Sequence, residues 1–438
     1  MTESLIGLVA LLTLIFLRVP IAFAMASVGA VGFALLRNWP ATWSMVGTVA
    51  FNTGLSYSLS VIPLFILMGN LLTRAGVSHG LYAAANHLLR GTRGGLAMAS
   101  VIACGGFSAV CGSSLATAAT MTKVAMPSMR RFGYADSLAT GSIAAGGTLG
   151  ILIPPSVVMI IYGLLTESDI GKLFIAGVIP GVLGIVFYVV TVAIIVRIKP
   201  DSAPFSENVE SFSTRERVGV FAVVGLFGVI MTGIYGGFFT PTEAAGIGTA
   251  FAFLIARIVG SLHIRTLLIA CVESARTTAM IFAIIIGAEI FSNFINLAGL
   301  PDGLASFIAS LDVNAYLVIA GIVGTYFLLG CVLESLSMIL LTVPVFYPLM
   351  FELNFGAEAL LDPEAVLIWF AVIVVVVTEI SLITPPVGLN VFVLRSVLPD
   401  VSLGTIFRGV TPFWIADVIR LTLLIAFPTL SLWLLNWM

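Results

Sequence analysis

Two proline pairs stand inside apolar sequence, in Gly150-Ile-Leu-Ile-Pro154-Pro155-Ser156 and in Ser381-Leu-Ile-Thr384-Pro385-Pro386-Val387-Gly388. No helix runs through either one. Proline lacks a backbone donor, clashes with the preceding turn and drives the residue before it out of the helical region. Each stretch is therefore expected to be a helix broken in its middle. In a hydrocarbon environment unpaired backbone groups are costly, and interrupted helices persist there mainly where a site uses the freed groups. Broken helices at matching places in two halves of a chain point to the binding site of a transporter.

The hydrocarbon environment follows from composition. Of the 438 residues, 60% are hydrophobic and 9% charged, against about 45–50% and about 25% in a soluble domain. Leu5 to Leu17, Val218 to Ile234 and Val366 to Val377 carry no charge. The length leaves room for roughly ten to twelve helices of about 20 residues plus shorter pieces. The runs are continuously apolar, which fits helices and not the alternation of a β-barrel. Met1-Thr2-Glu3 lacks the basic start of a cleaved signal peptide, and Arg18-Val19-Pro20 ends one apolar run before a second begins, so a retained helix pair is expected there.

The chain also resembles itself. Ala75-Gly76-Val77 with Gly80-Leu81 matches Ala298-Gly299-Leu300 with Gly303-Leu304, 223 residues later. Pro127-Ser-Met129 matches Pro348-Leu-Met350 at 221, Pro154-Pro155 matches Pro385-Pro386 at 231, and Gly171 to Phe174 matches Gly404 to Phe407 at 233. The jump falls at one polar insertion, Glu352 to Glu364. The expected architecture is an all-α polytopic membrane protein built from a duplicated, inverted repeat. Scaffold helices fill 1–60. The first repeat covers 61–197, with a re-entrant hairpin near 107–128 and a broken helix near 147–156. A polar linker over 198–217 and scaffold helices over 218–272 follow. The second repeat covers 273–438, with a hairpin near 329–350 and a broken helix near 378–390. Repeats in transporters are often inverted about an axis in the membrane plane; re-entrant segments leave open which arginine-bearing loops share a side.

Before each proline pair lies a small or polar cluster: Cys111-Gly112-Ser113-Ser114 in the first half, Glu334-Ser335-Leu336-Ser337 in the second. Hairpin tips of this kind present free amides, carbonyls and hydroxyls at one depth. Unwound carbonyls and half-helix C-termini suit a hard monovalent cation, and half-helix N-termini suit a carboxylate. The plainer reading, close helix packing through small residues, suffices for a single cluster; two clusters, each paired to a Pro-Pro, point to ligand chemistry. Glu334 sits in apolar surroundings with no basic residue near in sequence. A charge at the bilayer centre costs about 2.5–3.5 kcal/mol on translocon scales, so it needs a cation, donors or a proton. Glu379 and Glu289 are similar but nearer other polar groups, and either could be an interhelical carboxyl. Thr240-Pro241-Thr242-Glu243 reads as a helix start: an N-cap, proline at the first helical position and a capping box.

Several functions are excluded. The net charge of −2 and the lack of a basic tract argue against nucleic acid. Four scattered cysteines and three histidines show neither disulfide nor zinc spacing. No phosphate loop follows Gly171-Lys172, and an intramembrane hydrolase, the remote alternative, finds no Gly-x-Ser-x-Gly elbow and no His-Glu-x-x-His pair.

Gly147-Thr-Leu-Gly-Ile-Leu-Ile-Pro-Pro-Ser156, Gly112-Ser-Ser, Gly133-Tyr134, Ile62-Pro63-Leu-Phe65, Phe239-Thr-Pro-Thr-Glu-Ala-Ala245 and Thr384-Pro-Pro-Val-Gly-Leu-Asn390 together resemble the large, DctM-like membrane (M) subunit of tripartite ATP-independent periplasmic (TRAP) transporters. The resemblance covers nearly the whole chain. It implies a sodium-driven importer of organic acids, including dicarboxylates, across the bacterial inner membrane by an elevator motion. No enzymatic activity and no cofactor are implied beyond Na+ as coupling ion. The implied partners are a small four-helix membrane subunit and a soluble periplasmic binding protein. Carried over by position, Ser113, Ser114, Gly150 and Pro154 resemble one sodium site and Ser337, Thr384 and Pro385 another. Glu334, Glu379, Ser156 and Asn390 are placed on the substrate or ion path. Cys111 departs from the serine more usual in the family. The alternative is an elevator-type carboxylate:cation transporter that needs no binding protein.

Overall fold

The computed structural model describes residues 2–205, 212–260, 262–311, 313–351, 353–357 and 360–437, and among these every regular element is helical. Part of the polar linker, 206–211, lies outside the described residues. Among the described residues five helices are long and apolar enough to span a bilayer: Ile170–Ile198, Glu216–Tyr235, Ile264–Leu297, Pro363–Ser381 and Leu403–Ala426. A sixth span arises if the pair Trp39–Leu55 and Ser58–Arg74, bent by 58°, counts as one. This differs from the expected ten to twelve long helices. Proline, glycine and capping serines divide the remaining apolar sequence into pieces of 10–17 residues, such as Gly95–Cys111, Val157–Thr166 and Ser335–Met350.

One group of helices forms a scaffold. The N-terminal pair Thr2–Phe16 and Ile21–Leu36 is separated by the turn around Arg18, as the Arg18-Val19-Pro20 break leads one to expect. Helix Ile264–Leu297 lies along Ile21–Leu36 and Val61–Arg74. Small residues let the first crossing close: a Cβ at Gly29 would meet the Phe291 backbone at 2.7 Å, and one at Gly287 would strike the Ala22 carbonyl. Pro241–Ile258 packs on Val61–Arg74. It starts with the expected capping box, in which the Thr240 hydroxyl accepts from the Glu243 amide at 3.3 Å and the Glu243 carboxylate accepts from the Thr240 amide at 2.8 Å. These donors hold the Glu243 carboxyl below its usual range. Its contribution is present above about pH 4.3, the ordinary carboxylate value, and is lost as pH falls through the lowered one. Thr240→Ala is expected to destabilise by about 1 kcal/mol, read as a lower unfolding midpoint in detergent; an unchanged midpoint would remove the cap from the account.

The other group contains the two proline breaks and packs around Pro363–Ser381, which is buried on all sides from Val366 onward. Where Asp136–Gly146 crosses Leu403–Ala426 the backbones touch: a Cβ at Gly141 would fall on the Gly409 carbonyl, and one at Gly409 on the Ser137 carbonyl. Ion pairs fasten this group at its polar ends. Lys172 Nζ meets Glu364 Oε2 at 2.7 Å, and Arg130 Nη2 meets Asp400 Oδ2 at 2.6 Å. Hydrogen bonding to Arg130 lowers the Asp400 pKa. Apolar side chains such as Leu35, Phe221, Ile258 and Ile264 face outward, as a lipid-facing belt would.

Candidate functional site

Two helical hairpins lead to the site. In the first, Gly95–Cys111 ends at Gly112, whose positive φ of 63° suits glycine, and Ser114–Arg131 starts with Ser113 as N-cap, its hydroxyl accepting from the Ala116 amide at 3.4 Å. In the second, Ala315–Gly330 is followed by a short turn, and Ser335–Met350 starts with Glu334 in the N-cap position. Glu334 makes no capping bond there. Each hairpin leans on a broken helix. The chain after Asp136–Gly146 tightens into Gly147–Ile151, turns at Pro154-Pro155 and resumes as Val157–Thr166. Pro363–Ser381 likewise stops before Pro385-Pro386 and resumes as Leu389–Val397. Both Pro-Pro bonds are cis.

The contact between hairpin and break has the same form twice. A Cβ on Gly150 would overlap the Ser108 side chain, and a Cβ on Gly330 would overlap that of Ser381. Gly330 lies 222 residues after Ser108, and Ser381 lies 231 after Gly150. Serine and glycine have exchanged sides, but one partner must lack a side chain for the break to close on the hairpin.

Both tips open onto one cavity of about 280 Å³. Its walls include Gly112, Ser113, Ser114 and Glu334, the broken-helix residues Ile151 and Val157, and the scaffold residues Asn70 and Thr277. The N-terminal ends of three helices, at Ser114, Val157 and Ser335, border it. Each such end carries about half a positive charge and free amides. Among the described residues no lysine or arginine lines the cavity, so the helix-end amides, with the hydroxyls of Ser113, Ser114 and Thr277 and the Asn70 amide, are what it offers an anion.

The other expected site residues do not line this cavity. Gly150 and Pro154 are buried in the first break. Ser156 is fully buried and spent on its own turn, accepting from the Met159 amide at 3.2 Å and donating to the Ile151 carbonyl. Ser337 is buried in the first turn of the second hairpin helix. Thr384 Oγ1 accepts from Trp414 Nε1 at 2.9 Å and donates to the Ile380 carbonyl at 2.7 Å, while Pro385 is exposed. Asn390 Nδ2 donates to the Ala144 carbonyl at 3.0 Å, tying the second break to the helix leading into the first. Glu379 does not reach the cavity: its Oε2 accepts from Arg420 Nη2 at 2.6 Å, both side chains fully buried. Glu289 accepts from the Thr53 hydroxyl at 3.3 Å beside a separate cavity.

Sequence reasoning missed Asn70 and Thr277, which reach the cavity only through tertiary packing. It also missed Arg420 and Asp417. Their signal was present, since Asp417 and Arg420 stand three residues apart inside the apolar helix Leu403–Ala426, where ionisable groups call for partners.

Residues 8–430 match the family model described as "Tripartite ATP-independent periplasmic transporter, DctM component". The C4-dicarboxylate TRAP transporter large permease protein DctM of Pseudomonas aeruginosa is 35% identical over 389 residues, covering 89% of this chain and 88% of the relative. The sialic acid TRAP transporter large permease protein SiaM of Vibrio cholerae is 29% identical, covering 96% of each. Among solved structures, the Alcanivorax borkumensis YdaH transporter superposes with a TM-score of 0.68 over 97% of this chain and 98% of that one, at 15% identity. That likeness concerns the fold alone.

Proposed function

Because this chain belongs to the DctM component family of tripartite ATP-independent periplasmic transporters, and so is a multi-pass transport protein and not an enzyme, we propose that it is the ion-translocating permease of a sodium-coupled importer of small organic acids in the bacterial inner membrane. The observation that carries this reading is the single cavity bordered by both hairpin tips, three helix N-termini and a half-buried glutamate. Helix N-termini favour a carboxylate. A carboxylate beside Glu334 raises the local negative charge, and a co-bound cation offsets it. Hydroxyls and unwound carbonyls are the oxygen donors that a hard monovalent cation takes. Ser113, Ser114, Gly150 and Pro154 would hold one sodium ion and Ser337, Thr384 and Pro385 a second, with the substrate between the tips.

The duplicated reading, with the two halves inverted, draws its support for the duplication from the recurrent hairpin-to-break contact and the matched proline pairs. An elevator motion is supported by the fastening of the hairpin-bearing group at both ends, through Lys172–Glu364 and Arg130–Asp400. Such a group moves as one piece past the scaffold wall of Asn70 and Thr277. Relatives named for C4-dicarboxylates and for sialic acid agree with selectivity residing largely in a periplasmic binding protein. That protein and a small membrane subunit are the partners the family implies.

The test is thermal unfolding of the protein, purified with its small membrane partner, in sodium against equimolar potassium or choline. A ligand bound only to the folded state adds about 2.7 kcal/mol at a hundredfold excess over Kd. A sodium-specific rise that shrinks in Ser113→Ala is expected. Equal midpoints in all three salts would overturn sodium coupling. Uptake into vesicles without the soluble protein would favour the binding-protein-independent alternative.

A further inference from the structure

The charged cluster behind the cavity joins the two proline breaks at the same register. Glu379 stands six residues before Pro385, and Thr148 stands six before Pro154. Between them runs an unbroken line of polar contacts. Glu379 Oε2 accepts from Arg420 Nη2 at 2.6 Å, and the same nitrogen lies 3.1 Å from Asp417 Oδ1. Asp417 Oδ2 accepts a short hydrogen bond from the Tyr188 hydroxyl. That hydroxyl lies 3.5 Å from Thr148 Oγ1. All five side chains are fully buried. Gly184, on Ile170–Ile198, leaves room for both the guanidinium and the first break: a Cβ there would collide with Arg420 Nη1 and would meet Leu149 Cδ2 at 2.7 Å.

Resting on the two-site sodium reading above, we propose that Thr148, Tyr188, Asp417, Arg420 and Glu379 act as positioning residues that hold the two breaks in fixed relation, so that a cation bound at one break favours a cation at the other. The physical ground is the penalty for partial satisfaction. Glu379 Oε1, Asp417 Oδ1 and Arg420 Nε and Nη1 already make no hydrogen bond, so in a low-dielectric interior the pairings that do exist are costly to give up. Moving the second break away from Arg420 uncovers the Glu379 ion, which is strongly unfavourable, and moving the first separates the Thr148 and Tyr188 hydroxyls. The breaks therefore shift together, and binding at one is felt at the other as a coupling free energy. Asn390, which bonds the Ala144 carbonyl, supplies a second, uncharged link between the same segments. It does not carry the charge line.

The experiment is a sodium titration of the unfolding midpoint at constant ionic strength, with choline as the replacement cation and the membrane partner present. The wild type is expected to show a Hill coefficient above one. Tyr188→Phe removes the hydroxyl and keeps the ring against Phe413. It is expected to bring the Hill coefficient to one and to raise half-saturating sodium roughly fivefold or more. Thr148→Val, which leaves the ion pair intact, should act in the same direction, and Thr148→Ser should restore the wild-type curve. A purely structural role would lower the midpoint equally at every sodium concentration. If both variants keep the wild-type Hill coefficient and half-saturation, or if the wild-type Hill coefficient is itself one, the proposal fails while sodium coupling stands. A wild type indifferent to sodium overturns the sodium reading and this proposal with it.

Discussion

Arg420→Ala is expected to remove most of the folded protein from the membrane fraction. The guanidinium is fully buried and faces two fully buried carboxylates, Glu379 and Asp417. Deleting it strands two fully buried carboxylates with no other cation paired to them among the described residues. Breaking a buried pair by removing one partner costs about 3–5 kcal/mol, a large share of the 5–15 kcal/mol that separates typical folded and unfolded states. The measurement is size-exclusion chromatography of detergent extracts followed by thermal unfolding. A compensated variant identifies the cause: Arg420→Met combined with Glu379→Gln and Asp417→Asn removes every charge at similar volume and should recover much of the loss. A single Arg420→Ala protein as monodisperse and as heat-stable as wild type would refute the charge argument.

Glu334→Gln is expected to leave the fold in place and to reduce substrate uptake about ten- to a hundredfold. The residue caps no helix and has no hydrogen-bond or ion-pair partner among the described side chains. Its removal therefore has little structural consequence. The amide keeps the shape and loses the charge, which deletes a charge-assisted interaction of about 1.5–3 kcal/mol with a bound cation, equivalent to that range of rates. Uptake in proteoliposomes carrying the partner subunit, with the binding protein supplied outside, gives the comparison. Unaltered uptake would take Glu334 out of the transport path.

Much of the backbone plan was legible because it rests on local chemistry. Proline pairs break helices wherever they stand, and the Thr240 box and the turn at Arg18 follow from side chains within three or four residues of each other. The tips at Gly112–Ser113 and at Glu334 were legible for the same reason. Span lengths were not, because a run of apolar residues does not show where a capping serine or a glycine will divide it. Nor was the fate of Glu379. Its partner lies 41 residues away on another helix, and no periodicity in either segment states that the two meet. Ser156 illustrates a further limit. A serine after a proline break can face a ligand or close its own turn, and the choice depends on a rotamer.

The backbone crossing at Gly141 and Gly409 sets where the cargo range of this permease is open to change. A strip of chain that meets another with no side chain between them has no slack for substitution, since any added carbon lands on a carbonyl. Saturation mutagenesis should therefore show a narrow intolerant band there, far from the cavity, that reports geometry and nothing about selectivity. Asn70 and Thr277 line the cavity from helices outside both hairpins and both breaks. Variation there reshapes the pocket without disturbing the oxygen donors at the tips, which makes it the natural ground on which new specificities arise or are engineered.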